Sequence, residues 1–210
     1  RRRRVLRVPV RVVVLMVMLI FSGPMRVVVP QPLFWGPHPE GSRNMSEHTS
    51  AAPEIAQDGP GVVVQIPMRW GDMDAYGHIN NVEVVRMLEE ARIEAFGVPV
   101  GTGYQARPAQ VRLFDALPEG TQALVVEHRV RYVRPLEYSN IPAPTRVRIV
   151  KAAGAALILG IEIADPRTGE WCIRAHTQLA FFDPQSQTVL RLQPQQRELL
   201  APYTGDPLFS

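Results

Sequence analysis

The sequence predicts an α+β domain in which one long helix covers the apolar face of one antiparallel β-sheet. Two observations predict it. Apolar residues recur at three- and four-residue spacing up to Phe96, then at every second position from residue 126 onward. The element order is strand, long helix, then four strands with hairpin-length links, which leaves one helix for one sheet.

Residues 62–70 form a short apolar strand, ended by Gly71 and an acidic turn. Residues 82–96 read as a helix. Val84, Val85, Leu88, Ala91, Ala95 and Phe96 share its apolar side, and Glu83, Arg86, Glu90 and Glu94 the opposite one. Asn80 or Asn81 suits the N-cap, and Gly97 followed by Pro99 suits the stop. Residues 100–120 are expected to be irregular, given Gly101, Gly103, Pro108 and Pro118. In residues 126–133, Val126, His128, Val130 and Tyr132 fall on one face, with Glu127, Arg129 and Arg131 on the other. Residues 146–151 alternate Val147 and Ile149 with Arg146 and Arg148. Residues 156–164 and 171–182 are two further strands, joined by the hairpin turn Asp165-Pro166-Arg167-Thr168-Gly169. Residues 192–200 close the domain as a short helix.

At 210 residues the chain suffices for one domain with a substantial core, or a smaller domain plus a tail. Its charge is unevenly spread. Residues 1–44 hold eight arginines and one acid, Glu40, whereas the remainder holds 15 basic and 19 acidic residues. The net basicity therefore belongs to the first stretch, and no nucleic-acid partner is expected from it. That stretch has the outline of a signal peptide: Arg1 to Arg4, ten apolar residues at 12–21, then Ser22-Gly23-Pro24. The apolar run is too short to span a bilayer, which takes about twenty residues. We expect residues 1–58 to be a disordered or non-native extension, with a start at Met45, and residues 59–210 to form the domain. A genuine secretion or anchor signal is the alternative, and only then is a membrane partner expected. Pro30, Pro32, Pro37 and Pro39 would interrupt any regular element there. A single cysteine, Cys172, excludes an internal disulfide framework and a cysteine-rich metal site, and it fits a reducing cytoplasm.

Chemistry is concentrated in residues 69–81, which read Arg-Trp-Gly-Asp-Met-Asp-Ala-Tyr-Gly-His-Ile-Asn-Asn. The layout sets a carboxylate beside the free backbone N–H groups of a helix N-terminus, which suits a reaction that creates an oxyanion. Asp74 is the candidate nucleophile or base, and the N–H of Asn81 or a neighbour is the candidate oxyanion donor. Gly77 would let the backbone turn tightly, and His78 and Asn80 would orient Asp74 or a water molecule. Taken alone, Asp72 and Asp74 read more simply as turn caps.

This run closely resembles the signature of the hotdog-fold acyl-CoA thioesterases, the 4-hydroxybenzoyl-CoA thioesterase-like family. The likeness runs from Met68 to about Phe96, including the Glu-Glu-Ala-Arg of residues 89–92, with a second, weaker match at Tyr132-Val133-Arg134-Pro135. It implies a hotdog fold, an antiparallel sheet wrapped around one long central helix. It implies hydrolysis of an acyl-CoA thioester, with no metal or redox cofactor. The second acid of the family's Gly-Asp-x-Asp run is its catalytic carboxylate, here Asp74. The backbone amide seven residues on polarises the carbonyl, here Asn81. One departure is Val84-Val85, where many relatives carry an aromatic residue, and this leaves the acyl-pocket shape open.

Relatives place the site between protomers, so a homodimer or homotetramer is expected, its pairing covering open strand edges. Arg134 is the first candidate for the CoA phosphates. Arg146, Arg148 and Lys151 read rather as a solvated strand face. Asp72, Asp74 and His78 make a weak metal pattern, and none is expected. Glu90 should pair with Arg86, and remains a minor catalytic candidate because another hotdog branch uses a helix glutamate. His128 and His176 read as core or edge histidines. Two other functions compete with hydrolysis. One is a hotdog enoyl-CoA hydratase or dehydratase, whose Asp-x-Asn-Pro-x-His run is not present; the other is a non-catalytic acyl-CoA-binding regulatory module, whose DNA-binding helix pair is not legible in residues 1–60.

Overall fold

The computed structural model describes residues 59–98 and 108–210. The extension expected over residues 1–58, and part of the irregular segment at 100–120, lie outside the described residues. Strand β1, Val62–Ile66, stops short of the expected residue 70 because Pro67 has no N–H to give a ladder. A single 3-10 turn, Trp70–Asp72, then leads to helix α1, Asn81–Phe96. Asn80 is the N-cap, its side-chain oxygen accepting the Val82 N–H at 3.2 Å. Gly97 ends the helix at φ 78°, a conformation that costs a residue without Cβ little. The buried side of α1 carries Val84, Met87, Leu88, Ala91, Ala95 and Phe96. Val85, expected on that side, is 39% exposed. It stands about 100° around the helix from Val84, whereas Met87, three residues on, returns to the core side.

Four long strands follow: β2 Gln122–Tyr132, β3 Ala143–Ala153, β4 Ala156–Ala164 and β5 Trp171–Asp183. A short β6, Thr188–Leu190, and helix α2, Pro194–Leu200, complete the order. The sheet runs β1-β3-β4-β5-β2, antiparallel throughout, with β6 beside the end of β5. The hairpin expected between β4 and β5 is present: Gly169 at φ 74° donates its N–H to the Asp165 carbonyl at 2.8 Å. The expectation of a short link from β2 to β3 is corrected. β2 pairs with β5, Tyr132 opposite Ile173, so residues 133–142 cross from one edge of the sheet towards the other. β2 also begins earlier than expected, at Gln122, and its register shifts between Val125 and Glu127, so Val126 does not follow the simple alternation.

α1 lies against β1 and β3. Val147, Ile149, Leu157, Leu159, Ile161, Ile163, Ile173 and Phe181 form the inward, buried face of the sheet. Burying this face is what holds the helix to the sheet. The reverse face corrects the solvated-face reading of Arg146 and Arg148. Arg146 is buried, its guanidinium 5.2 Å from the centroid of the Trp171 ring, and Arg148 pairs with the buried Glu162. The physical reason is that Gly59 and the Trp171 ring lie against the Arg146 guanidinium, while residues 204–209 pass over the neighbouring part of that face, with Gly205 against the stem of Arg148. The Gly205 N–H bonds the Ile149 carbonyl at 2.9 Å, the Leu208 N–H bonds His176 Nε2 at 3.0 Å, and Phe209 stacks on the His176 ring at 4.2 Å. His128, in β2, meets the Thr177 hydroxyl at 3.0 Å, and Lys151 is exposed.

Candidate active site

Buried Asp72 secures the turn between β1 and α1. Its carboxylate accepts the Arg69 N–H at 2.8 Å and Arg86 Nη2 at 2.7 Å, while its carbonyl accepts the Asn80 N–H at 2.8 Å. Arg86 also bonds Glu83 at 2.7 Å and Glu90 at 2.5 Å, so one guanidinium ties the first turns of α1 to the acidic turn. Asp72 thus has a structural place, and Glu90 has the partner expected of it. Asp72→Ala leaves Arg86 short of one carboxylate and the Arg69 amide without its acceptor. It should lower stability by about 2–3 kcal/mol, at the lower end for a broken buried pair because Glu83 and Glu90 remain, read as a lower urea midpoint.

Asp74 is presented by the backbone that follows it. Its Oδ1 accepts the Tyr76 N–H at 2.8 Å and the His78 N–H at 3.1 Å. The Asp74 N–H bonds the His78 carbonyl at 2.7 Å, and the Gly77 N–H bonds the Asp74 carbonyl at 3.2 Å. Gly77 closes this loop at φ 82°, where a side chain would be strained. Asp74 Oδ2 has no hydrogen-bond partner among the described residues. The carboxylate is therefore aimed by one oxygen and left available through the other.

Residues 133–142 build the opposite wall. The Ile79 N–H bonds the Leu136 carbonyl at 2.7 Å and the Tyr138 N–H bonds the Gly77 carbonyl at 3.2 Å. The Val133 and Arg134 amides both bond the Cys172 carbonyl, at 2.8 and 3.1 Å. Between turn and wall opens a cavity of about 550 Å³, lined by Asp74, His78, Asn80, Asn81, Tyr132 and Arg134, with Leu136 and Ile173 among its apolar walls. Five of the residues singled out in the sequence thus share one cavity. Gly77 bends the chain behind Asp74 without lining it.

Asn81 is the first residue of α1, so its N–H has no intrahelical acceptor by position. It has none among the other described residues either. The positive end of the helix dipole lies at the same point. A carboxylate and an unpaired donor facing one cavity can attack a carbonyl carbon and meet the charge that develops on its oxygen. The Tyr132 hydroxyl stands 3.5 Å from the Asn81 carbonyl, and its removal from water raises the phenol's pKa, keeping it a donor. In the sequence Tyr132 stands out only within the Tyr-Val-Arg-Pro run. Arg134 is engaged by Glu170, whose hydrogen bond raises the guanidinium's pKa. No sequence signal points to Glu170, which is distant along the chain. Among the described residues no group of three His, Cys, Asp or Glu side chains is placed to hold a metal ion. Nor is any helix there long and apolar enough to cross a membrane.

The profile of the thioesterase-like superfamily matches residues 68–200, more than half of the chain. The fold is similar to that of the probable thioesterase YbaW of Escherichia coli, with 23% identity and a TM-score of 0.53 over 67% of this chain and 97% of that one. A predicted thioesterase from Bacillus stearothermophilus gives 19% identity and a TM-score of 0.54, over 69% and 97% of the two chains. A thioesterase from Thermus thermophilus, complexed with coenzyme A and zinc, gives 23% and 0.52, over 69% and 95%. No curated protein matches the chain.

Proposed function

The chain belongs to the thioesterase-like superfamily, as a hotdog-fold thioester hydrolase, and from that premise we propose that its substrate is an acyl-CoA, cleaved to a carboxylic acid and free CoA. The observation that carries this reading is the single cavity lined by both Asp74 and Asn81. Asp74 either attacks the thioester carbonyl, giving an acyl–enzyme anhydride that water then opens, or draws a proton from the water that attacks. On both routes the carbonyl oxygen gains charge and the Asn81 N–H receives it. The C–S bond then breaks, the CoA sulfur takes a proton, and the oxygen of water ends in the carboxylic acid. His78 and Asn80 orient the carboxylate and the water. Arg134, at the cavity rim, takes a CoA phosphate, and Leu136 and Ile173 face the apolar part of the substrate. The complex of coenzyme A with the Thermus thermophilus thioesterase supports the choice of thiol.

The functional unit we assign is a homodimer or a pair of dimers. β2 is an edge strand of the sheet and exposes Leu124, Val125 and Val126, a row that a second copy would cover. The enzyme acts in the cytoplasm, where its buried cysteine stays a thiol; burial pushes the pKa of Cys172 up and makes it unreactive. The test is thiol release from a panel of acyl-CoA esters of increasing chain length and one aromatic ester. Free CoA should appear with a clear optimum in the panel. Failure of every ester to release thiol above the buffer rate would remove acyl-CoA as the substrate class.

A further inference from the structure

Residues 133–142 are fastened to the β4–β5 turn by two ion pairs of reversed polarity. Arg134 of the link meets Glu170 of the turn, and Glu137 of the link meets Arg167 of the turn at 2.7 Å. Arg167 is further held by Asp165 Oδ2 at 3.1 Å. The amides of Val133 and Arg134 bond the carbonyl of Cys172, two residues beyond Glu170, so the backbone itself keeps Arg134 and Glu170 within reach. The two pairs differ in what they border. Arg134 lines the cavity that holds Asp74 and Asn81, whereas Glu137 and Arg167 do not.

The Arg134 and Glu170 side chains are 51% and 55% exposed. A pair so open to water is weakly held, because water and salt screen it. It can be exchanged at little cost. A phosphate offers the same paired-oxygen acceptor as a carboxylate, with more charge, and a guanidinium fork fits either. Resting on the assignment of Arg134 to the CoA phosphates, we infer that Glu170 is an affinity-setting residue: it occupies Arg134 in the empty site and is displaced by a phosphate of acyl-CoA. Each binding event then trades an internal carboxylate for the ligand, and Glu170 recaptures Arg134 as CoA leaves. The Glu137–Arg167–Asp165 group holds the wall in place while this exchange occurs. Glu170 is thus a positioning residue, acting on substrate only through Arg134.

The test compares acyl-CoA with the acyl-pantetheine thioester of the same acyl group, which lacks the phosphates. Glu170→Gln keeps the shape of the side chain and removes its charge. It should lower KM for acyl-CoA by about two- to fivefold, the range an exposed ion pair supplies, with the change in KM rather than kcat. KM for the pantetheine thioester should not move. Arg134→Ala should raise KM for acyl-CoA and abolish the Glu170→Gln gain in the double variant. If Arg134→Ala raises KM but Glu170→Gln leaves it unchanged, raises it, or lowers it equally for both thioesters, the exchange is overturned and the phosphate contact stands. If Arg134→Ala leaves KM for acyl-CoA unchanged, the contact and the exchange fall together.

Discussion

Replacing Asp74 with asparagine should lower kcat for acyl-CoA hydrolysis by about two to four orders of magnitude, with little change in folding stability. The two halves of that expectation have separate physical causes. Asparagine keeps a side-chain oxygen to accept the Tyr76 and His78 amides, so the turn that presents the residue survives. Asparagine is, however, neither a nucleophile nor a base at neutral pH, so both routes open to the carboxylate are lost. Steady-state thiol release, run beside a urea titration, separates the two. The contrast with its neighbour is sharp: Asp72→Ala should shift the urea midpoint, because Asp72 is buried against Arg86, whereas Asp74→Asn should not. A loss of turnover below tenfold for Asp74→Asn would take the carboxylate out of the chemistry.

Asn81→Pro should cost about a hundred- to a thousandfold in kcat, while Asn81→Ala should stay within a few-fold of the parent. Proline removes only the amide hydrogen that matters. The first position of a helix is where proline is best tolerated, since its N–H would bond nothing inside the helix. The preceding residue, Asn80, has φ −60° and ψ 141°, the extended conformation that a following proline favours. The exposed Asn81 side chain contributes none of the bonds that define the turn, so alanine retains the donor and the fold together. Equal losses in the two variants would mean that the side chain, or the local structure, matters rather than the N–H.

What is legible in the sequence is local. The span of α1, its cap at Asn80 and its stop at Gly97 follow from residues adjacent in the chain, and so does the β4–β5 turn, where Asp165 Oδ1 accepts the Arg167 N–H at 2.7 Å. The half of the cavity built from Asp74, His78, Asn80 and Asn81 falls within one such stretch. Strand pairing is not legible, because alternation says which face a residue takes but not which strand lies beside it. Chain order therefore joins β2 to β3, whereas in space β2 lies beside β5; Arg134 stands out through the Tyr-Val-Arg-Pro run, but its place on the second wall of the cavity does not. Likewise Arg146 and Arg148, on the reverse face, look solvent-facing by alternation. They are sheltered because Gly59 and the Trp171 ring lie against Arg146 and Gly205 lies against Arg148, neighbours to which no periodic signal points. Val85 departs from expectation for a smaller reason: it stands about 100° around α1 from buried Val84, near the helix N-terminus, where Asn81 and Val82 are exposed too.

The most direct measurement is the carbonyl stretching frequency of an isotopically labelled acyl-CoA bound to the inactive Asp74→Asn protein, read by infrared difference spectroscopy. A backbone donor at the first turn of α1 polarises the carbonyl, drawing electron density onto its oxygen and weakening the C=O bond, so the band should sit below its value for the thioester in water. Adding Asn81→Pro to the same protein should return the band to the higher frequency. A band that is unshifted to begin with, or one whose shift survives the proline, would contradict the placing of that carbonyl at the helix N-terminus.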